Sequence, residues 1–319
     1  MLGSMEWALS ALLLWGNVAG ALVVPNERGG AWRVALALVL GACAVVAPAL
    51  WPRDWPSTRT VFAFAAMAGF FRLIEIVRHR DTSAGARVAS VVYPILSAPR
   101  LVRTSRSLRV DAIVVGVVFV AFAIALFFMA GTFPPARPYS GVDSMMRTLV
   151  GGASAYFIVD GTGRLSEAAL AFAGWDSGPL HDAPILARTI AEFWNRRWNR
   201  AVHVWLDENA FRPTMRWVLR RAGGVRRGPS AVRVAMTAGV LAAFGVSAVL
   251  HFVPICVAYD GAYAVAMGAF FLLHGVLVVI ETRLGVAKWP VAFAHAWTLG
   301  LFFVTAPLFV EPLLRSMGR

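Results

Sequence analysis

Residues 112–129, AIVVGVVFVAFAIALFFM, contain no Asp, Glu, Lys or Arg and no alternation of polar with apolar positions. Hydrocarbon admits only structures that satisfy their own backbone groups, which are helices and closed barrels. A barrel strand alternates apolar and polar residues over about ten positions. A spanning helix needs about 20 mostly apolar residues in a row. The unbroken run therefore selects a helix.

The same charge-free character extends this run to residue 136 and recurs at 7–26, 34–52, 234–259, 261–280 and 289–310. Two weaker stretches carry polar insertions: 61–77 holds Arg72 and Glu75, and 145–160 ends in Asp160. Together they predict an all-α polytopic transmembrane helical bundle of about eight spans, with seven to nine allowed. Residues 7–24 read as a first span and not a leader peptide, because Glu6 precedes them and no Lys or Arg does. Residues 88–98 are apolar, too short to span and contain Pro94, which suits a re-entrant or interfacial piece.

Composition agrees. The 319 residues are 59% hydrophobic and 15% charged, with mean hydropathy +0.67. Soluble domains run near 45–50% apolar and about 25% charged. An ordinary soluble enzyme, a disordered chain and a disulfide scaffold are excluded. Cys43 and Cys256 both lie in apolar runs and form no metal or redox motif.

Net charge is +13, and among the 30 basic residues Lys288 is the single lysine. Arg100, Arg103, Arg106 and Arg109 precede one span. Arg196, Arg197, Arg200, Arg212, Arg216, Arg220, Arg221, Arg226, Arg227 and Arg233 fill the long interval before another. Both clusters are expected on the cytoplasmic side, with segment 196–233 cytoplasmic and both termini outside, although Arg315 and Arg319 oppose that orientation. These arginines interrupt membrane spans, which argues against nucleic acid as a partner. The organisation expected is one membrane domain over 1–319. It comprises N-terminal spans in 1–136, a motif-bearing region in 182–275 with a cytoplasmic or interfacial segment at 184–231, and C-terminal spans in 232–310.

Residues 185–207, ILARTIAEFWNRRWNRAVHVWLD, read as one amphipathic helix that Pro184 starts and Asp182 caps. Helical spacing places Trp194, Trp198, Ala201 and Trp205 on one stripe, Asn195 and Asn199 beside it, and Arg196, Arg200, His203 and Asp207 on a wet stripe. Tryptophans against arginines describe a helix at headgroup depth. Two asparagines beside the tryptophans need more explanation, since an amide in apolar surroundings without a partner costs about 1–3 kcal/mol. His251, His274 and His295 lie in or near the last three spans. Ionisable groups in lipid are candidates for function. His251 has the clearest context, since no Asp, Glu, Lys or Arg occurs from 234 to 259.

In order along the chain, DAPILARTIAEFWNRRWN, FRPTMRW, FGVSAVLH and FFLLHG resemble the wax synthase branch of the membrane-bound O-acyltransferases. The resemblance covers 182–275 and rests on a Phe-Trp-x-x-x-Trp-Asn block, here Phe193, Trp194, Trp198 and Asn199, and on a later histidine, here His251. Phe252 follows that histidine where many relatives carry an acid. The resemblance implies transfer of an acyl group from acyl-CoA, as co-substrate, to the hydroxyl of a lipophilic alcohol, in an internal tunnel and without metal or other cofactor. His251 becomes the general base, with His274 in reserve. Asn199 orients the acceptor or donates to the developing oxyanion. Trp194, Asn195, Arg197, Trp198 and His274 line the substrate site, and Arg196 and Arg200 contact the CoA phosphates. Sterol, terpenoid and diacylglycerol hydroxyls stand as alternative acceptors.

Two other classes compete. A polytopic transporter often shows inverted repeats, and none is visible. A Mg²⁺-dependent prenyl or phosphoalcohol transferase needs clustered carboxylates. Asp143, Asp160, Asp176, Asp182 and Asp207 are scattered instead.

Overall fold

A computed structural model describes residues 13, 15–25, 30–78, 83–92, 102–134, 141–176, 178–222 and 228–319. Arg100, Arg226 and Arg227, and most of the 88–98 piece including Pro94, lie outside these residues. The described chain is helical. In order it forms α1 (Gly16–Val23), α2 (Ala31–Val46), α3 (Pro56–Arg78), α4 (Ala84–Val92), α5 (Val110–Ala130) and α6 (Val142–Ala173). An irregular segment over 178–222 follows and contains α7 (Arg200–Leu206) and α8 (Arg212–Arg221). The chain ends with α9 (Pro229–Ala258), α10 (Gly261–Leu284), α11 (Val291–Thr305) and α12 (Pro307–Ser316). Among the described residues the only strand pairing is a two-residue antiparallel contact, Val102 with Asp176 and Arg103 with Trp175.

Five helices are long and apolar enough to cross a membrane: α2 with its 3₁₀ extension to Leu50, α3, α5, α9 and α10. α11 and α12 meet at a 41° bend and make a sixth if they form one broken span. Pro307 opens α12 at that bend, where its missing N–H removes one helical hydrogen bond. Of the two remaining expected spans, the first is described at 13 and 15–25, where α1 has 8 residues. The second falls within α6, a 32-residue helix that carries Arg147, Asp160, Arg164 and Glu167 and does not meet the same apolar standard.

α5 packs against α6, and α9 against α10. The second pairing is close because Gly275 has no side chain: a Cβ there would stand 2.8 Å from the Cβ of Phe244. α9 starts earlier than the charge-free run implied and continues unbroken through Pro254. The bundle interior holds a buried ion pair that sequence reasoning did not single out. Arg147 on α6 is 1% exposed and donates to Glu311 of α12 at 2.6 Å and to the carbonyls of Ala130 and Phe133. A charge in such surroundings persists only when paired and hydrogen-bonded.

Candidate active site

Residues 185–207 are not one helix. A 3₁₀ turn at Pro184–Leu186 leads to a single α turn at Ile190–Glu192, a π turn at Phe193–Arg197, a break, and then α7. The break sits at Asn199, whose φ of 38° is in the left-handed region that asparagine tolerates better than most residues. The Asn199 side chain accepts the Val202 N–H at 3.3 Å and so caps α7. The backbone around the break pairs with the chain just before the motif. Asp182 N–H donates to Arg197 O at 2.9 Å, and Arg200 N–H to Leu180 O at 3.0 Å.

This break disperses the expected tryptophan stripe. Trp194 turns to α10, with its ring 5.7 Å from that of His274 and 5.7 Å from Phe271. Trp198 packs on His181 at 4.6 Å and stacks on Phe193 at 5.6 Å. Trp205 is buried against Phe71 of α3 at 4.6 Å. The expected wet stripe is dispersed with it.

His251 stands where four helices meet. Its ring stacks on Phe271 of α10 at 3.9 Å and approaches Phe64 of α3 at 6.0 Å and Phe309 of α12 at 6.3 Å. Its Nδ1 lies 2.8 Å from the Ser247 carbonyl oxygen. A carbonyl only accepts, so Nδ1 carries the proton and Nε2 keeps its lone pair. His274 is wholly buried. Its Nδ1 donates to Phe270 O at 2.9 Å and its Nε2 lies 3.4 Å from the Thr305 hydroxyl. Trp194 and His251 thus both contact the Phe271 ring, and His274 contacts Trp194, Phe270 and Phe302. Among the described residues no hydrogen bond or ring contact joins His251 to Asn199 or involves His295.

Arg197 is engaged within the segment, donating to Glu192 at 2.7 Å and to the carbonyls of Asp182 and Ala183. Burial alone would push the Glu192 carboxyl up. The Arg188 N–H and the Arg197 guanidinium outweigh it and hold the group below its ordinary value of 4.5. Asn195, Arg196 and Arg200 are exposed.

Three positions that hold the segment in place were not foreseen. Glu281, at 2% exposure, reaches from α10 to accept the N–H groups of Ile190 at 2.8 Å and Ala191 at 2.6 Å. It lies two turns from His274 on the same helix face, so it pins the turn that carries Trp194 against the helix that carries His274. Thr189 caps that turn by accepting the Glu192 N–H at 2.9 Å, and the sequence signal was legible as Thr-x-x-Glu. His181 is buried with Nδ1 3.2 Å from Asp160 Oδ1, under Trp198. α6 comes close enough to this loop because Gly163 faces Leu180, where a Cβ would stand 2.8 Å from Cδ2. Among the described residues no group of three or more His, Cys, Asp or Glu could hold a metal ion.

Residues 177–273 match the membrane bound O-acyl transferase family. Over that segment, about a third of its length, the chain is similar to the family. The matched segment contains Trp194, Trp198, Asn199 and His251 and stops one residue short of His274. Curated relatives over this region include the probable long-chain-alcohol O-fatty-acyltransferases 3 and 7 of Arabidopsis thaliana. Each is 32% identical across 45% of this chain and 42% of its own length. The long-chain-alcohol O-fatty-acyltransferase of Simmondsia chinensis is 31% identical across 44% of this chain and 40% of its own. The chain therefore spans less than half the length of these acyltransferase relatives.

Proposed function

We propose that this chain transfers an acyl group from acyl-CoA to the hydroxyl of a long-chain alcohol, forming an ester within the membrane. The observation that carries the reading is the state of His251. It lies in the family-matched segment at a four-helix junction, with Nδ1 tied to a carbonyl and Nε2 left as an acceptor. Such an imidazole can take the alcohol proton as the oxygen attacks the thioester. A positioned base of this kind contributes about 10²–10⁴ in rate.

The remaining roles follow from placement. Trp194 and His274 wall the acyl and alcohol chains beside Phe271. Trp198 and Arg197 shape the turn that leads to Asn199. The Asn199 carboxamide uses its oxygen as a cap, and its Nδ2 donates to no group among the described residues, so it is free to orient the acceptor. Exposed Arg196, Arg200 and Asn195 face the polar head of CoA, with guanidinium groups suited to its phosphates. This reading puts the arginine-rich segment 196–233 on the cytoplasmic side, where acyl-CoA is available, and it uses no metal.

The test is lipid analysis of cells expressing the protein and fed a long-chain alcohol, beside cells expressing His251→Ala. Wax ester should accumulate with the wild type and fall by about 10²–10⁴ in the variant, with the variant protein present at a similar level. Equal ester from the variant removes His251 as base. No ester from the wild type, with ester appearing only when a sterol, terpenoid alcohol or diacylglycerol is supplied, reassigns the acceptor.

A further inference from the structure

We propose that the indole N–H of Trp194 donates the hydrogen bond that stabilises the acyl carbonyl oxygen during transfer; this rests on the acyl-transfer reading above. Trp194 Nε1 is buried and donates to no acceptor among the described residues. A buried donor left open costs about 1–3 kcal/mol and needs a reason. Trp205 and Trp297 also bury such a group, but their indoles pack on Phe71 and Trp289. Of these three, Trp194 alone faces an imidazole. Its ring is 5.7 Å from Phe271, the same ring on which His251 stacks at 3.9 Å. An open donor and an open acceptor, Nε1 of Trp194 and Nε2 of His251, thus flank one phenyl ring.

The sequence had offered Asn199 for this role. Its side-chain oxygen caps α7, and among the described residues no hydrogen bond joins it to His251 or Trp194. The turn that carries Trp194 is instead fixed to the His274-bearing helix through Glu281, which holds the donor in place before substrate arrives. A preset donor of this kind costs no reorganisation during reaction.

The alcohol oxygen adds to the thioester carbonyl carbon while its proton passes to Nε2 of His251. The electron pair of the C=O bond moves to the carbonyl oxygen, which accepts the Trp194 N–H. The pair returns as the C–S bond breaks, and the proton on His251 passes to the departing sulfur. Ester and thiol leave, and the imidazole is neutral again.

The experiment places 3-benzothienylalanine at position 194 of the full chain. This residue keeps the bicyclic shape and replaces N–H by sulfur. The variant, Trp194→Phe and the wild type are compared in lipid nanodiscs with acyl-CoA and a long-chain alcohol. We expect kcat to fall about 10²–10³-fold with 3-benzothienylalanine, with KM for the alcohol within about twofold of wild type. Wild-type kcat with 3-benzothienylalanine overturns the proposal, and if Trp194→Phe is impaired in that case, the ring serves by packing alone. A wild type that forms no ester overturns the acyl-transfer reading itself.

Discussion

α5 and the segment 178–222 dispose of their backbone hydrogen bonds in opposite ways. α5 runs 21 residues with its N–H and C=O groups paired within the helix, and it leaves Val114, Val117, Val118 and Phe122 exposed on a face suited to lipid. In the segment, the Ile190 and Ala191 N–H groups go to Glu281, Asp182 N–H to Arg197 O, Arg200 N–H to Leu180 O, and Val202 N–H to Asn199. Composition holds the first region. Particular residues, several of them distant in the chain, hold the second. Substitutions should therefore be nearly silent on the apolar face of α5 and costly at the few anchors of the segment.

The sharpest test of that contrast is Glu281→Ala. It leaves two N–H groups without an acceptor, at about 1–3 kcal/mol each for buried groups. The unfolding temperature in detergent should drop, tryptic cleavage within 188–221 should speed up, and ester formation should fall with it. Val117→Ala on α5 should stay within about 0.5 kcal/mol of wild type by the same measurements. Equal responses from the two variants would erase the distinction between the regions.

Asn199 separates backbone from side chain. Its φ of 38° suits glycine as well as asparagine. Asn199→Ala meets the left-handed penalty of about 1–2 kcal/mol and loses a cap worth about 0.5–2 kcal/mol. Asn199→Gly avoids the first cost and most of the second. Stability should therefore order wild type, Gly, Ala, whereas turnover should fall in both variants, by about 10²–10³ if the carboxamide orients the acceptor. Wild-type turnover in Asn199→Gly would make position 199 a turn and nothing more.

The legible part of the fold was the part that hydropathy controls. The charge-free runs became α2, α5, α9 and α10, and the run with Arg72 and Glu75 became α3, where those two residues pair with each other at 2.6 Å. The break between α11 and α12 was announced only by Pro307, inside a run free of Asp, Glu, Lys and Arg. Residues 185–207 misled because a 3.6-residue pattern was present while the bonds that set their conformation come from Glu281, some 90 positions away. Of the candidate site residues, Trp194 and His251 lie against one ring, Phe271, and His274 lies against Trp194. Their partners were not legible, since Glu281 and His181 carry no local pattern that marks them as anchors.

The gentlest probe of the segment is pH. Glu192 accepts the Arg188 N–H and the Arg197 guanidinium, and these hold its carboxyl below its ordinary value of 4.5 despite burial. A group with a depressed folded value contributes stability above its unfolded pKa and loses it as pH falls through the folded one. The contribution is thus complete at neutral pH, declines below about 4.5 and is gone once the carboxyl is protonated in both states. Glu192→Gln should lower the unfolding temperature at pH 7, by a small amount because the pair is part-exposed and screened. The gap to wild type should close progressively on acidification below that value. A difference for Glu192→Gln that stays constant from neutral to acid pH would mean that shape, and not charge, links residue 192 to Arg197, and the segment would then resemble α5 more than its bonds suggest.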